Sequence, residues 1–253
     1  MNILFATSEC APFIKTGGLA DVAGALPKAL AGNGHDVRVI LPLYEGIGEE
    51  WRSQMTYLQC FHITLAWRSP YCGIFELKRD GVTYWFVDNE YYFKRSNIYG
   101  HYDDGERFAY FSRAVVESMG WLNWHPDVLH CNDWQTALVP IYLLEERHRI
   151  PQLCDTKSVF TIHNIEYQAD TQPDFEGCVR AQRRVLQRAH AGLPRRRESD
   201  ERGYLCRRLR DHRLPHLRRR APVLLLCPRP GGGYRRQPPQ AARHPQRHRH
   251  RGV

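Results

Sequence analysis

The apolar residues near the start of the chain follow two different spacings. Residues 3–6 form a short, continuous apolar run, which is typical of a strand covered on both faces. Between Leu19 and Leu30 the apolar residues recur at helical spacing, and the glycines on either side of Asn33 offer a C-terminal stop. Residues 37–43 form a second strand-like run. This succession predicts a βαβ unit, whose crossover requires a parallel sheet.

The middle of the chain has a different pattern. Residues 58–65, 71–77 and 82–87 are strand-like and are joined by short turns such as the one at residues 79–81, Arg-Asp-Gly. Three strands with short connections predict an antiparallel hairpin or meander inserted into the α/β unit.

The alternation of strands and helices then resumes. Residues 107–119 and 134–147 have helical spacing, whereas residues 128–131 and 158–163 are strand-like. We therefore predict an α/β fold, a Rossmann-like, doubly wound parallel sheet with an inserted antiparallel hairpin or meander.

The charge balance changes sharply after Gln168. Residues 1–168 hold 14 Lys and Arg against 20 Asp and Glu, while residues 169–253 hold 22 against 7. All 22 of those cations are arginine, and the second stretch contains nine prolines and no Ile, Met, Trp, Asn or Lys. Such a composition buries too little apolar surface to offset its chain entropy. We predict a folded unit over residues 1–168 and a segment without a defined fold over residues 169–253.

Cysteine usage and the N-terminal residues favour a cytoplasmic protein. The eight cysteines are scattered without a CxxC pair, which indicates reduced thiols rather than a disulfide framework. The start of the chain lacks a basic region and its apolar run breaks at Ser8, so it does not resemble a signal peptide. No apolar run reaches about 18 residues, and no membrane span is expected.

The run KTGGLADVAGALPKAL at residues 15–30 is the first candidate for chemistry. Gly17 and Gly18 would let backbone N–H groups approach an anion at a helix N-terminus, and Lys15 would add a mobile positive charge. The alternative is an ordinary turn into a helix. Asp21 has a similar alternative, because an acid in the first helical turn stabilises a helix by about 0.3 to 1 kcal/mol.

His163 and Asp133 are the second candidates. Each follows a predicted strand, and the carboxyl ends of parallel strands share one sheet edge, where ligands bind. A hydrogen-bonded structural histidine is the alternative for His163, and helix capping is the alternative for Asp133. His130 and Cys131 precede Asp133, but residues this close at a strand end point in different directions, so no metal site is predicted.

Three segments together resemble one known family. KTGGLADVAGALPKAL is similar to the N-terminal signature of bacterial glycogen synthases and plant starch synthases. HCNDWQTALVP resembles that family's HAHDW-type segment, with Cys131 and Asn132 replacing the commoner small residue and histidine. VFTIHNIEYQ matches its VFTIHN-x-x-YQ segment, and the resemblance covers residues 1–168.

The resemblance implies a fold, an activity and a set of site residues. The fold is GT-B, with two facing Rossmann-like domains, of which residues 1–168 would be the N-terminal one. The activity is retaining transfer of glucose from ADP-glucose to the non-reducing end of an α-1,4-glucan, with no metal or other cofactor. Lys15, Gly17 and Gly18 would lie against the donor, Asp21 and Asp133 near the glucosyl unit or acceptor, and His163 beside the reacting carbon, with Asp133 and His163 as the catalytic pair.

Two interpretations remain for residues 169–253. A basic tail would match nucleic-acid phosphates, but the segment lacks lysine and a set of stacking aromatics, which makes nucleic acid an unlikely partner.

Alternatively, the segment is a family protein read in the wrong frame. Suitable codons for ESDERGYLCRRLRDHRLPH, read from the second base, can give SLMNGAIYAGDYVTTVSPT, which resembles the family's next strand and loop. Residues 233–253, shifted in the same way, can give an ILNGID segment. We favour the frameshift, which predicts a nearly inactive chain. The contrasting hypothesis is a glucan-binding protein without enzymatic activity that carries a basic, nucleic-acid-binding tail.

Overall fold

The computed structural model of the protein describes residues 1–65, 68–147, 149–164 and 223–224. Its helices lie on a mixed sheet that holds all of the described strands. The strands are β1 (Asn2–Ala6), β2 (Asp36–Pro42), β3 (Thr56–His62), β4 (Tyr71–Arg79), β5 (Val82–Asp88), β6 (Val128–Asn132), β7 (Lys157–Thr161) and β8 (Val223–Leu224). The helices are α1 (Gly18–Gly32), α2 (Glu49–Arg52), α3 (Glu90–Phe93), α4 (Asp104–Trp121) and α5 (Val139–Glu146).

The strand order confirms the predicted doubly wound sheet. Across the sheet the strands run β3-β4-β5-β2-β1-β6-β7-β8, and the five strands β5, β2, β1, β6 and β7 are parallel neighbours. The chain leaves β1 towards β2 on one side and later returns to β6 on the other side. The strand order therefore reverses at β1, and the crevice beyond the carboxyl ends of β1 and β6 is the place where such a fold binds ligands.

The predicted meander is present and belongs to the same sheet. β3 pairs antiparallel with β4, and β4 pairs antiparallel with β5. The turn between β4 and β5 has two consecutive residues with positive φ, 52° at Asp80 and 76° at Gly81. Positive φ at both central residues is the requirement of the two-residue type I′ turn, for which Asp-Gly is a preferred pair. Because β5 then pairs in parallel with β2, the meander extends the α/β sheet at one edge.

Two predicted boundaries differ from the structure for physical reasons. The helix predicted over residues 134–147 is a 3₁₀ turn at Trp134–Thr136 followed by the separate helix α5. Pro140 has no N–H to donate to the carbonyl of Thr136, so one continuous helix is not formed. The strand predicted over residues 158–163 ends at Thr161, because the N–H of His163 bonds to a side chain instead of a backbone carbonyl of β6.

The loop after β1 is held against α1 by an unusual pair of contacts. Pro27 lies inside α1 and cannot donate to the carbonyl of Ala23. The Cys10 thiol donates to that carbonyl instead, at 3.3 Å. At the next residue of the helix, a Cβ on Gly24 would lie 2.7 Å from the carbonyl oxygen of Ala11, so only glycine permits this approach. The loop is thus fixed where it passes the helix.

Most of residues 165–253 lie outside the described residues. The part that is described is β8, whose backbone pairs antiparallel with β7 next to Phe160 and Thr161. The predicted lack of a defined fold over residues 169–253 stays a prediction, as does the domain boundary at Gln168. In the described part of the chain, no helix is both long and apolar enough to cross a membrane.

Candidate active site

Three loops meet at the carboxyl edge of the sheet, as the sequence predicts. The loop after β1 carries Glu9 and Lys15 and leads into α1. Asp133 follows β6, and His163 lies two residues after β7. Because β6 and β7 are adjacent parallel strands, the two predicted catalytic residues come from neighbouring strand ends.

Asp133 and His163 contact each other directly. The Asp133 carboxylate accepts the backbone N–H of His163 at 2.6 Å, and the Asp133 N–H donates to the carbonyl of Thr161 at 2.9 Å. The Asp133 side chain does not cap the 3₁₀ turn that follows it. Asp133 has φ 56° and ψ −179°, a conformation that costs a non-glycine residue about 1 to 3 kcal/mol and that clusters at functional sites. The bonds on both sides of the residue hold it there.

The imidazole of His163 is oriented by Asn132, a residue that the sequence analysis noted without giving it a role. His163 Nε2 lies 2.9 Å from Asn132 Oδ1. The Asn132 amide nitrogen donates to the carbonyl of Ala6 at 3.0 Å, which fixes the amide with its oxygen towards His163. An amide oxygen only accepts, so Nε2 carries the proton and Nδ1 keeps its lone pair when the ring is neutral.

His130 supports the same cluster from the middle of β6. Its Nε2 lies 2.8 Å from the Thr161 hydroxyl, and its ring packs edge-on against Phe5 with centroids 4.7 Å apart. Burial, followed by the charge of His163, lowers the pKa of His130 to about 4. His130 is therefore neutral near pH 7 and links β7 to β6 without adding a charge.

Glu9 organises the glycine loop, and sequence reasoning missed it. Glu9 is only 3% exposed. Oε2 of Glu9 accepts the Thr16 N–H at 2.5 Å, the Thr16 hydroxyl at 2.9 Å and the Gly17 N–H at 3.2 Å. The Gly17 N–H, which the sequence analysis assigned to an anionic ligand, is thus bonded to Glu9 in this structure. Gly18 begins α1, and a Cβ placed there would have no heavy atom within 4 Å other than those of its chain neighbours and of the nearby helix backbone.

Lys15 and Asp21 form an ion pair at the mouth of this loop. Lys15 Nζ lies 2.7 and 2.8 Å from the two carboxylate oxygens of Asp21. The side chains are 54% and 59% exposed, respectively, so the pair contributes little, about 0 to 1 kcal/mol. A pair this weak can open to let Lys15 bind another anion.

Tyr99 contacts Ser8 and Glu9 in the loop after β1, and it was also missed. Its hydroxyl shares a 2.6 Å hydrogen bond with Ser8 and lies 3.5 Å from Glu9 Oε1. Burial, with the negative charges of Glu9 and Asp133, raises the pKa of Tyr99 well above its usual range. Tyr99 therefore stays protonated and can donate to Glu9. No sequence pattern marked it, because it lies in the irregular segment between α3 and α4.

The comparisons with known proteins identify the family of the chain. The family model for the starch synthase catalytic domain matches residues 2–192, which extends beyond the end at Gln168 given by the motifs. A glycogen synthase from Geobacillus thermodenitrificans is 56% identical over 169 residues, covering 66% of this chain and 35% of the relative. One from Lactobacillus acidophilus is 52% identical over 181 residues, covering 70% of this chain and 38% of the relative.

A solved structure shows the same fold. The catalytic domain of starch synthase IV from Arabidopsis thaliana, bound to ADP and acarbose, superposes with a TM-score of 0.62 at 33% identity. The match covers 70% of this chain and 36% of that one. The chain spans only about a third of the length of the curated relatives it matches. The family model matches well over half of the chain, and the chain belongs to the starch synthase catalytic domain family.

Proposed function

We propose that this chain supplies the N-terminal half of a cytoplasmic GT-B glucosyltransferase that acts as a glycogen synthase. The reaction transfers glucose from ADP-glucose to the non-reducing end of an α-1,4-glucan with retention. The observation that carries the proposal is the contact between Asp133 and His163 at the strand-order reversal of the sheet, together with the family membership.

Each side chain of the site has a role that its chemistry supports. Glycosyl transfer passes through an oxocarbenium-like sugar, which nearby oxygens stabilise, and a departing diphosphate needs cations and N–H donors. The Asp133 carboxylate lies at the sheet edge and fixes the backbone of His163 by accepting its N–H. The oriented imidazole of His163 then lies beside the reacting carbon. Lys15 leaves its exposed pair with Asp21 to bind the diphosphate.

The second half of the site belongs to another domain in this proposal. The resemblance implies that a cationic pair on the diphosphate and an acid facing the donor sugar come from the C-terminal domain. Residues 169–253 offer no position for them, because this segment is translated out of frame in our proposal. The 253-residue chain by itself is therefore nearly inactive.

Sequencing the gene just after codon 168 tests the frame. A single gained base, or two lost bases, between codons 168 and 175 supports the proposal, whereas a gene that stays in the written frame contradicts it. The activity is tested on the frame-restored protein with ADP-glucose and UDP-glucose as alternative donors and glycogen as the acceptor. We expect transfer from ADP-glucose with an α linkage in the product. No transfer from either donor, in a protein that is folded by circular dichroism, would reject the proposed function.

A further inference from the structure

We propose that a cavity at the carboxyl end of β5 is a second glucan-binding site, separate from Asp133 and His163. The cavity is open, has a volume of about 700 Å³, and includes Tyr71, Asp88, Glu90 and Tyr91 in its lining. We call it the Tyr71 cavity. The inference rests on the proposed function, because that function makes an α-1,4-glucan the partner of this protein.

The ring of Tyr71 is held across the surface of the sheet. Tyr71 and Gly73 are two residues apart on β4 and therefore lie on the same face. A Cβ on Gly73 would lie 2.3 Å from the Tyr71 hydroxyl oxygen and 3.0 Å from Cζ, so the ring occupies the space that a side chain would fill. Asp88 is the β5 partner of Gly73, so the Asp88 side chain lies on the same face of the sheet as the Tyr71 ring. Tyr71 is 39% exposed, so its ring is accessible from the cavity. The close approach to Gly73 fixes the position of this ring before any ligand binds.

The lining suits a neutral sugar better than an anion. A pyranose ring has an apolar face of C–H groups and a rim of hydroxyls, which match an aromatic face and carboxylate acceptors, respectively. Tyr91 is 61% exposed and adds a second aromatic side chain. Asp88 and Glu90 provide the carboxylates, and burial and the charge of Glu90 raise the pKa of Asp88. That negative potential disfavours the phosphates of a nucleotide sugar.

The lining cation does not reverse this preference. Arg68 also borders the cavity, but its guanidinium is paired with Glu106. A smaller cavity of about 250 Å³ shares Asp88 and Glu90 and continues along the sheet edge to Arg52 and Lys94. Lys94 is paired with Glu90. Because Arg68 and Lys94 are each paired with a carboxylate, neither cation makes the cavity a strong anion site. An uncharged ligand rich in hydroxyl groups is therefore the best match.

The position of the Tyr71 cavity fits a polymer. β5 and β6 are parallel strands of one sheet, separated by β2 and β1, so their carboxyl ends lie on one edge. Three strand spacings of about 4.8 Å place β5 roughly 14 Å from β6. A glucan chain held at the Tyr71 cavity keeps other non-reducing ends close to Asp133 and His163, which raises their local concentration. A monosaccharide would gain nothing from this arrangement.

The test uses the 253-residue chain and maltoheptaose, and it needs no catalytic activity. Isothermal titration is performed on the unchanged protein and on the Tyr71→Ala, Tyr91→Ala and Gly73→Ala variants, with melting temperature as a check of folding. Gly73→Ala displaces the Tyr71 ring without removing it. Tyr102→Ala is the matched control, because Tyr102 is 80% exposed and does not line the cavity. We expect about tenfold weaker binding in each of the three cavity variants and none of this loss in the control.

Two results would overturn the inference. The first is unchanged maltoheptaose binding in folded Tyr71→Ala and Tyr91→Ala proteins. The second is loss of binding in Asp133→Asn but not in Tyr71→Ala, which would place all glucan binding at the candidate active site. The proposed function fails by a different result, namely absence of glucosyl transfer in the frame-restored protein. Maltoheptaose binding that depends on Tyr71 and persists in such a protein supports the cavity while rejecting the transferase.

Discussion

Asp133 Oδ1 accepts the backbone N–H of His163 at 2.6 Å, and this bond joins the ends of two neighbouring strands. It takes the place of the next backbone bond in the parallel ladder, so β7 ends at Thr161. The carboxylate thereby lies at the sheet edge and fixes the backbone that carries the imidazole of His163. The same bond thus ends β7 and positions a carboxylate next to His163. Mutations of Asp133 can separate the effect on stability from the effect on catalysis.

Asp133→Asn is expected to preserve the fold and to impair transfer. The asparagine oxygen still accepts the His163 N–H, so the melting temperature should change little. Asp133→Ala keeps the strained backbone and loses the acceptor, and we expect a loss of about 1 to 3 kcal/mol of unfolding free energy. Urea unfolding of the 253-residue chain measures the change in stability of each variant. Glucosyl transfer by the frame-restored protein measures the change in activity. Full activity in Asp133→Asn would show that the charge has no catalytic role.

His163→Ala should lower kcat far more than it raises the KM for ADP-glucose in the frame-restored protein. This is the pattern for an interaction made mainly in the transition state. Asn132→Ala removes the group that orients the imidazole, so it should lower kcat by less, because the ring is still present. If the role of His163 is only structural, both variants lose thermal stability and keep their turnover per folded molecule. Melting temperature and transfer measured on the same samples distinguish the two cases.

Glu9→Gln should loosen the glycine loop. Oε2 of Glu9 accepts from Thr16 and Gly17, and the neutral amide oxygen of glutamine forms weaker hydrogen bonds than a charged carboxylate oxygen. We expect a lower melting temperature and faster hydrogen exchange of the Thr16 and Gly17 amides, with unchanged exchange in β2. Equal exchange of those two amides in both proteins would contradict the role assigned to Glu9.

The sequence was sufficient to predict the fold because its signals are local. Continuous apolar runs separate β1 and β2 from α1, and Asp80-Gly81 marks the turn of the meander. The site edge followed from topology, since strand ends in a parallel sheet share one side. The helix break at Pro140 also had a local signal, but the helical spacing on either side concealed it.

The remaining parts of the site depend on contacts between distant residues. Glu9 acquires its role because the loop turns back and brings Thr16 and Gly17 to its carboxylate. Tyr99 reaches Ser8 across 91 residues of chain. The positive φ of Asp133 is held by bonds from β7, and no residue next to it in sequence indicates that conformation. Periodicity carries no information about such contacts.

His130 should make the stability of the protein depend on pH. The folded pKa of His130 is about 4, below its ordinary value of 6.5, so between these values the unfolded chain binds more protons than the folded one. Stability attributable to His130 is therefore complete above about pH 6.5 and is lost as the pH falls to about 4, at up to about 1.4 kcal/mol per pH unit. His130→Gln keeps a partner for the Thr161 hydroxyl and removes this proton. Urea unfolding at several pH values should show a shallower slope for the variant, and identical slopes would refute the assignment.

Lys15→Gln tests the donor side of the site, with Lys28→Gln as its matched control. Both lysines belong to exposed ion pairs, Lys15 with Asp21 at 2.7 Å and Lys28 with Asp80 at 2.8 Å. Each substitution should therefore cost no more than about 1 kcal/mol of stability. If Lys15 binds the diphosphate, its loss removes a charge-assisted contact of about 1.5 to 3 kcal/mol, which weakens donor binding about tenfold or more. Lys28 lies towards the other end of α1, so its variant should bind the donor normally. Steady-state kinetics with ADP-glucose on the frame-restored proteins provide the comparison, and an equal rise in donor KM for both variants would mean that Lys15 acts only through the overall charge of the protein.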